Sequence, residues 1–458
     1  MQDVKSESRY NRMIYGSIPK VILSMGIPAI ISQVISSVYN LTDTFFLSGM
    51  GPSAIAAPGV IFPILLVIQS IAMMFAIGSG SLAARLLGQK KSEEANSIIS
   101  TAFYVAIGVC SVFAVICLIF IDPIIKLCGA TDSILPYARS YVFWIVLSTP
   151  FYSGFFVLDG VTKQEGNVLL TTISAAIGAV VNIILDYVFI FIFDMGIRGA
   201  SIATSLAHIL SFFILYVHIK SNKGVLKLKF KYCIFKFSMI KQIMKNGSSN
   251  LFQTVLMITS QLIMNNIMGS YGDIALANIN VVNKISSMIV FTITGFGQGF
   301  QPMCGYCYGA KRYDRVINGL KFTITVCLSL IFVFATVAFF NAESIIRAFN
   351  PDGNMESINL GIKMLRAYLL AIPFGAITMI SNVFFISCGK FVKSAIVICC
   401  KFGIVYIPVI LLLQLIFGFN GVVFSRPVAD FFTFLVSCSM LIFEYRRIKI
   451  LVREEDKQ

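Results

Sequence analysis

Histidine is nearly missing from this chain: there are two in 458 residues. That leaves too few parts for a histidine-based metal centre or a hydrolytic triad. Charge is scarce as well, at 12% of residues against 57% hydrophobic, which is far from the balance of a soluble domain. The eleven cysteines are scattered, mostly through apolar stretches such as that of Cys399 and Cys400, where cysteine packs as a small hydrophobe. Cys304 and Cys307 form a C-x-x-C, but no second pair or nearby histidine completes a zinc ligand set, so no zinc is expected there and no cofactor anywhere. The opening "MQDVKSESRYNRMIYGSIPK" lacks a short apolar core followed by a small-residue cleavage site. The first apolar segment is therefore expected to direct insertion itself.

What is present is a succession of apolar stretches, each long enough to cross a bilayer as a helix. They cover 19–47, 54–84, 95–121, 136–158, 167–193, 197–218, 246–268, 274–305, 317–341, 363–387, 393–416 and 421–443. No alternating strand pattern competes, so the expected class is an all-α integral membrane protein with twelve transmembrane helices. The formal net charge of +15 invites a nucleic-acid reading, but the basic residues concentrate in alternate loops. One set holds Lys5, Arg9, Arg12, Lys20, Arg85, Lys90, Lys91, the connector 220–245, Lys311, Arg312, Arg315, Lys321, Lys390, Lys393 and the carboxyl-terminal "EYRRIKILVREEDKQ". The other set, with "SGMGPSA", "DMGIRGA", "GSYGDIA" and "FGFNG", is nearly free of them, except where Lys126 and Arg139 flank one longer loop and Arg347, Lys363 and Arg366 another. The charge is thus topology rather than nucleic-acid binding, and the positive-inside rule predicts a multi-pass protein of the cell membrane with both termini cytoplasmic.

The chain also repeats itself. "ARLLGQKKSEEA" at 84–95 resembles "GYCYGAKRYDRV" at 305–316, and a shift of 221 carries Gly88, Lys90 and Lys91 onto Gly309, Lys311 and Arg312. The same shift maps Gly26 to Gly247, Gly51 to Gly272, Ala54 to Ala275 and Gly78 to Gly299. A shift of 223 maps Pro150 to Pro373, Phe151 to Phe374 and Gly166 to Gly389. This predicts two parallel six-helix repeats: an amino-terminal lobe 1–218, a basic cytoplasmic linker 219–245 and a carboxyl-terminal lobe 246–458. Two such bundles suit alternating access, with a central cavity open to one side at a time. "GFGQG" at 295–299 lies inside a span with no preceding strand and is not a dinucleotide fingerprint. In the linker, "KGVLKLKFKYCIFKF" reads as an inner-surface segment with snorkelling lysines.

Ionisable residues inside membrane spans are functional candidates by default. Asp43 lies in the first span with Tyr39 one turn earlier, Asn182 and Asp186 share a face of the fifth, and Thr204 and His208 share a face of the sixth. Under the repeat shifts Asp43 lands on Met264 and Asp186 on Val409, so the shared fold does not demand the carboxylates. In the second half, Arg426 and Asp430 have the spacing of a structural ion pair. Lys284 is expected to line a wet cavity near Asn280, Asn283, Gln261 or Asn265. Two carboxylates with an amide and a hydroxyl form an oxygen-rich cluster that can bind Na⁺, or can carry H⁺ when protonated.

With these residues in place, the sequence resembles the multidrug and toxic compound extrusion (MATE) transporters, and within them the DinF-like branch. The resemblance rests on "YNLTDTFFLSGMGPSAIAA", "RLLGQKK", "VVNIILDYVFIF", "GIRGASIATSLAH" and "QPMCGYCYGAKR", in order along essentially the whole chain. It implies a V-shaped pair of six-helix lobes that extrude lipophilic, often cationic compounds against entry of Na⁺ or H⁺. By resemblance Asp43, Asn182, Asp186 and Thr204 are the cation-coupling site. Tyr39, His208, Gln261, Asn265 and Lys284 are candidates for the substrate cavity. The expected partners are small organic compounds and membrane lipids, and the expected state is a monomer. Helix 7 carries no acidic residue, only Gln261, Asn265 and Asn266, which counts against a second cation site in the carboxyl-terminal lobe.

The nearest rival is a flippase for lipid-linked precursors, which by resemblance has more helices and a strongly cationic cavity. A major-facilitator transporter would carry a G-x-x-x-D-R-x-G-R-like loop where "ARLLGQKKSEEA" stands. An intramembrane aspartyl enzyme would need Asp43 and Asp186 to share a proton at contact distance. No enzymatic activity is expected.

Overall fold

The computed structural model describes residues 2–48, 50, 52–221, 224–349 and 355–455. Gly51 of the repeat comparison, residues 222–223 of the linker and the last three residues lie outside them. The described residues are almost entirely helical and contain no strand. In the first half α1 (Gln2–Tyr15) is followed by α2 (Ile18–Ser48), α3 (Pro52–Gly88), α4 (Ser92–Ile119), α5 (Ile121–Leu127), α6 (Leu135–Leu147) and α7 (Thr149–Gln164). Then come α8 (Val168–Tyr187), a π-helical turn (Val188–Ile192) and α9 (Gly196–Lys220). The second half holds α10 (Phe237–Ser270), α11 (Asp273–Gly309), α12 (Tyr313–Phe340), α13 (Ala342–Phe349) and α14 (Met355–Ser387). It ends with α15 (Phe391–Cys399), a second π-helical turn (Cys400–Ile404) and α16 (Tyr406–Glu455).

Three details reconcile these helices with the twelve crossings expected. The fourth span is broken: α6 and α7 meet at 55° around Ser148, next to Pro150. The apolar stretch Phe391–Arg453 runs for 63 residues, about 95 Å as helix, where roughly 30 Å crosses the hydrocarbon. It turns at Gly418, whose φ of 55° and ψ of −135° lie outside the helical region, and so makes two crossings. Helix α10 is too polar to qualify by hydropathy, but at 34 residues it is long enough and holds the place of the first span in the second half.

The repeat is visible in the backbone. Lys90 and Lys311 both adopt the left-handed region, with φ of 62° and 60°, as do Gly166 and Gly389 at 81° and 74°. The short helices α5 and α13 begin 221 residues apart. Outward-facing Val112, Ile116 and Ile119 on α4 match Val333, Val337 and Phe340 on α12 at the same spacing, an apolar stripe suited to acyl chains. Packing repeats too: α3 contacts α4 and α7, and α4 contacts α7, just as α11 contacts α12 and α14, and α12 contacts α14.

The chain forms two compact units, 1–15 with 27–251 and 16–26 with 252–458. These do not follow the 1–218 and 246–458 lobes residue by residue, because the first turns of α2 belong to the second unit and those of α10 to the first. Glycine makes both placements possible. In the first unit a Cβ on Gly247 would lie 1.8 Å from the Met74 carbonyl oxygen, and one on Gly78 would lie 2.1 Å from that of Ile243. In the second unit a Cβ on Gly299 would lie 2.6 Å from the Gly26 nitrogen. The shift of 221 relates these two crossings, since it maps Gly26 to Gly247 and Gly78 to Gly299.

In the first unit the connector is tied to α4: Lys227 N–H donates to Asn96 Oδ1 at 2.7 Å, and Ile234 N–H to Thr101 Oγ1 at 3.0 Å. Glu165, fully buried after α7, accepts from Arg9 Nη1 at 2.9 Å and from Leu226 N–H at 2.6 Å.

Candidate ion-coupling site

Four crossings of the first unit bring the polar residues together. Asp43 and Tyr39 lie on α2, Tyr141 on α6, Asn182 and Asp186 on α8, and Thr204 on α9. Helices α8 and α9 can hold a common site because their backbones approach closely. Ser174 Oγ donates to the Ser211 carbonyl at 3.0 Å, Ser211 Oγ donates to that of Ser174 at 3.3 Å, and Gly178 leaves room for the Ser211 side chain. The short link after the π-helical turn, where Asp194 has φ of 50° and Gly196 of 56°, reverses the chain. That reversal sets Asp186 beside the start of α9.

Asp186 and Asn182 are fully buried, Thr204 is buried, and Asp43 is half-buried. With its amide nitrogen turned toward the carboxylate, Asn182 Nδ2 donates to Asp186 Oδ2 at 3.0 Å. Its oxygen then accepts from the Thr204 N–H at 3.3 Å. Tyr141 Oη lies 3.5 Å from Asp43 Oδ2, at the outer limit of a hydrogen bond, and Tyr39 lies one turn before Asp43 on α2. The two carboxylates are near enough to repel one another. Neither has an ion-pair partner among the described residues, and Asp43 Oδ1 and Asp186 Oδ1 lack any hydrogen-bond partner there. Buried acceptors left open in this way, beside hydroxyl and amide oxygens, are the donor set of a small hard cation or the seat of a proton. Groups of three or more His, Cys, Asp or Glu side chains able to hold a transition metal are absent among the described residues.

The other expected residues fall apart from this cluster or extend it. His208 lies deeper along α9, edge-on to Tyr152 with ring centroids 4.6 Å apart, and its Nδ1 has no partner among the described residues. In the second unit Gln261 and Asn265 bond to each other at 2.8 Å on an exposed face of α10, and Lys284 is exposed on α11. The Arg426–Asp430 pair forms, at 3.4 Å, but it is not self-contained: Lys401 Nζ reaches Asp430 Oδ1 at 3.0 Å. Lys401 lies inside an expected span and was as visible as Arg426. Twenty-five residues separate the two, and only the second π-helical turn brings them together. Tyr141 also joined unannounced, because a tyrosine in "LPYARSYVFWIVL" gives no sign in sequence of which helix it will face.

A polytopic bundle of repeated halves, with carboxylates inside one of them that have no ion-pair partner among the described residues, is a build suited to a membrane transporter. The chain belongs to the MatE family, whose model matches residues 28–188 and again 250–412. The second match begins 222 residues after the first, in step with the repeat. Among curated proteins the chain is similar to the multidrug export protein MepA of Staphylococcus saprophyticus, at 25% identity over 95% of this chain and 96% of that one. It is also similar to MepA of Staphylococcus haemolyticus, at 26% over 90% and 91%. Among solved structures, the outward-facing conformation of a multidrug resistance MATE transporter of the MOP superfamily superposes with a TM-score of 0.88. That likeness covers 96% of this chain and 98% of the other at 20% identity, and shows the fold. Family membership makes this chain a multi-pass membrane transporter and not an enzyme.

Proposed function

We propose that this protein exports lipophilic, often cationic organic compounds from the cell by antiport with Na⁺ or H⁺, through alternating access. One observation carries the reading: Asp43 and Asp186 lie within the spans of the first unit, near enough to repel one another, and neither pairs with a cationic side chain among the described residues. An ion entering the cluster neutralises charge that the apolar surroundings disfavour. Its binding therefore changes the stability of one conformation relative to another, which is what coupling requires. Asn182 and Thr204 fix the Asp186 carboxylate, while Tyr39 and Tyr141 supply hydroxyls around Asp43. The printed names of the relatives, multidrug export proteins, support organic compounds as the cargo. The alternation of basic loops supports cytoplasmic termini in the cell membrane, and we take the working unit to be a monomer of the DinF-like branch.

The test is accumulation of a fluorescent lipophilic cation by proteoliposomes under an imposed Na⁺ gradient and, separately, an imposed pH gradient. A tenfold ion gradient supplies about 1.4 kcal/mol per ion, so one-for-one exchange supports dye accumulation up to about tenfold. One of the two gradients should drive accumulation. Accumulation under neither would overturn the reading.

A further inference from the structure

The second unit buries a charged cluster of opposite character. Lys401 projects from the π-helical turn Cys400–Ile404, and Arg426 and Asp430 lie one turn apart on α16. Two cations and one anion leave one net positive charge, and the geometry says which group keeps it. The Lys401 ammonium is 3.0 Å from Asp430 Oδ1 and both side chains are 6% exposed, whereas Arg426 Nε is 3.4 Å from Oδ2 and its side chain is 26% exposed. Asp430 is neutralised chiefly by Lys401, and the guanidinium carries the excess.

The surroundings are built for this arrangement. A Cβ on Gly375 would lie 3.0 Å from Lys401 Nζ and 3.3 Å from Asp430 Oδ2, so α14 presents bare backbone to the pair. The π-helical turn inserts an extra residue that aims Lys401 inward, a device common at functional sites. Arg426 lies over the rings of Tyr406 and Phe402, at 5.3 and 5.8 Å from their centroids. A guanidinium with surplus charge is costly against acyl chains, so its exposed quarter calls for water or an anionic group rather than lipid. A guanidinium packed on aromatic rings, with N–H groups to spare, is a receptor for a carboxylate or sulfonate borne on a flat ring system.

The geometry points to Arg426 as the group that binds the anionic moiety of zwitterionic or anionic aromatic export substrates, with Lys401 and Asp430 as positioning residues that set its charge. This rests on the export function proposed above and names the side chain that would take a substrate's anionic group. It is tested by fluorescence anisotropy on the purified full-length protein with a carboxylate-bearing rhodamine and its methyl ester. Arg426→Gln should weaken binding of the carboxylate dye about tenfold and that of the ester less than about twofold. Lys401→Met should weaken the carboxylate dye as well, because Asp430 then cancels Arg426. The double variant Lys401→Met/Asp430→Asn should restore it, an outcome that a purely structural role would not give. If the wild type binds the ester but not the carboxylate dye, or if Arg426→Gln weakens both equally, the anion site is wrong and the export function stands. If the wild type binds neither, both fall.

Discussion

Asn182 uses its amide on two partners at once, donating to Asp186 Oδ2 and accepting from the Thr204 N–H, and so ties α9 to the carboxylate that we propose the ion meets. Asn182→Ala removes the donor to Asp186 and leaves the aspartate free to rotate. The ion concentration for half-maximal dye transport should rise about tenfold, as expected for loss of one charge-assisted hydrogen bond. Transport assayed against Na⁺ concentration or pH reads it, and an unchanged midpoint would show that Asn182 is only packing. Much of this site was legible at the level of single residues. Polar groups in apolar spans are few, and the repeat exposed Asp43 and Asp186 as unmatched by Met264 and Val409. Tyr141 and Lys401 were not legible as partners, since their roles come from helix rotation and a π-helical turn that residue type does not encode.

At the scale of elements, the crossings between helices rest on glycine. Gly247→Val would drive a side chain into the Met74 carbonyl, and backbone cannot rotate aside as a side chain can. The change should destabilise the first unit by about 1–3 kcal/mol. Gly269→Ala, where a Cβ meets nothing within 4 Å, should be silent. Thermal unfolding of the two variants in detergent makes the comparison, and equal melting temperatures would refute the packing argument. The repeat offset already paired these glycines in sequence. What it left out was that Gly78 meets Gly247 and Gly26 meets Gly299, rather than each its own counterpart. The crossings themselves were readable from length and hydropathy. The 55° break at Ser148 and the turn at Gly418 were less so, because a proline or glycine inside an apolar run permits a bend without dictating it.

For the molecule as a whole, the two halves share a backbone but divide the chemistry. The first carries Asp43 and Asp186 within its spans, with no ion-pair partner among the described residues, and the second a cluster in which Lys401 and Arg426 outnumber Asp430. A shared fold explains the common left-handed residues and apolar stripes. It does not explain charges that occur in one copy only, and these are the positions at which we propose that function was added to the scaffold. Asp43 and Asp186 are proposed to bind the driving ion. The most direct measurement is gradient-driven uptake of a fluorescent cation into proteoliposomes holding equal amounts of wild type, Asp43→Asn, Asp186→Asn and, as the repeat-related control, Met264→Ala. Both aspartate variants should lose gradient-driven uptake while Met264→Ala keeps the ion dependence of the wild type. Wild-type uptake by both aspartate variants would contradict that role.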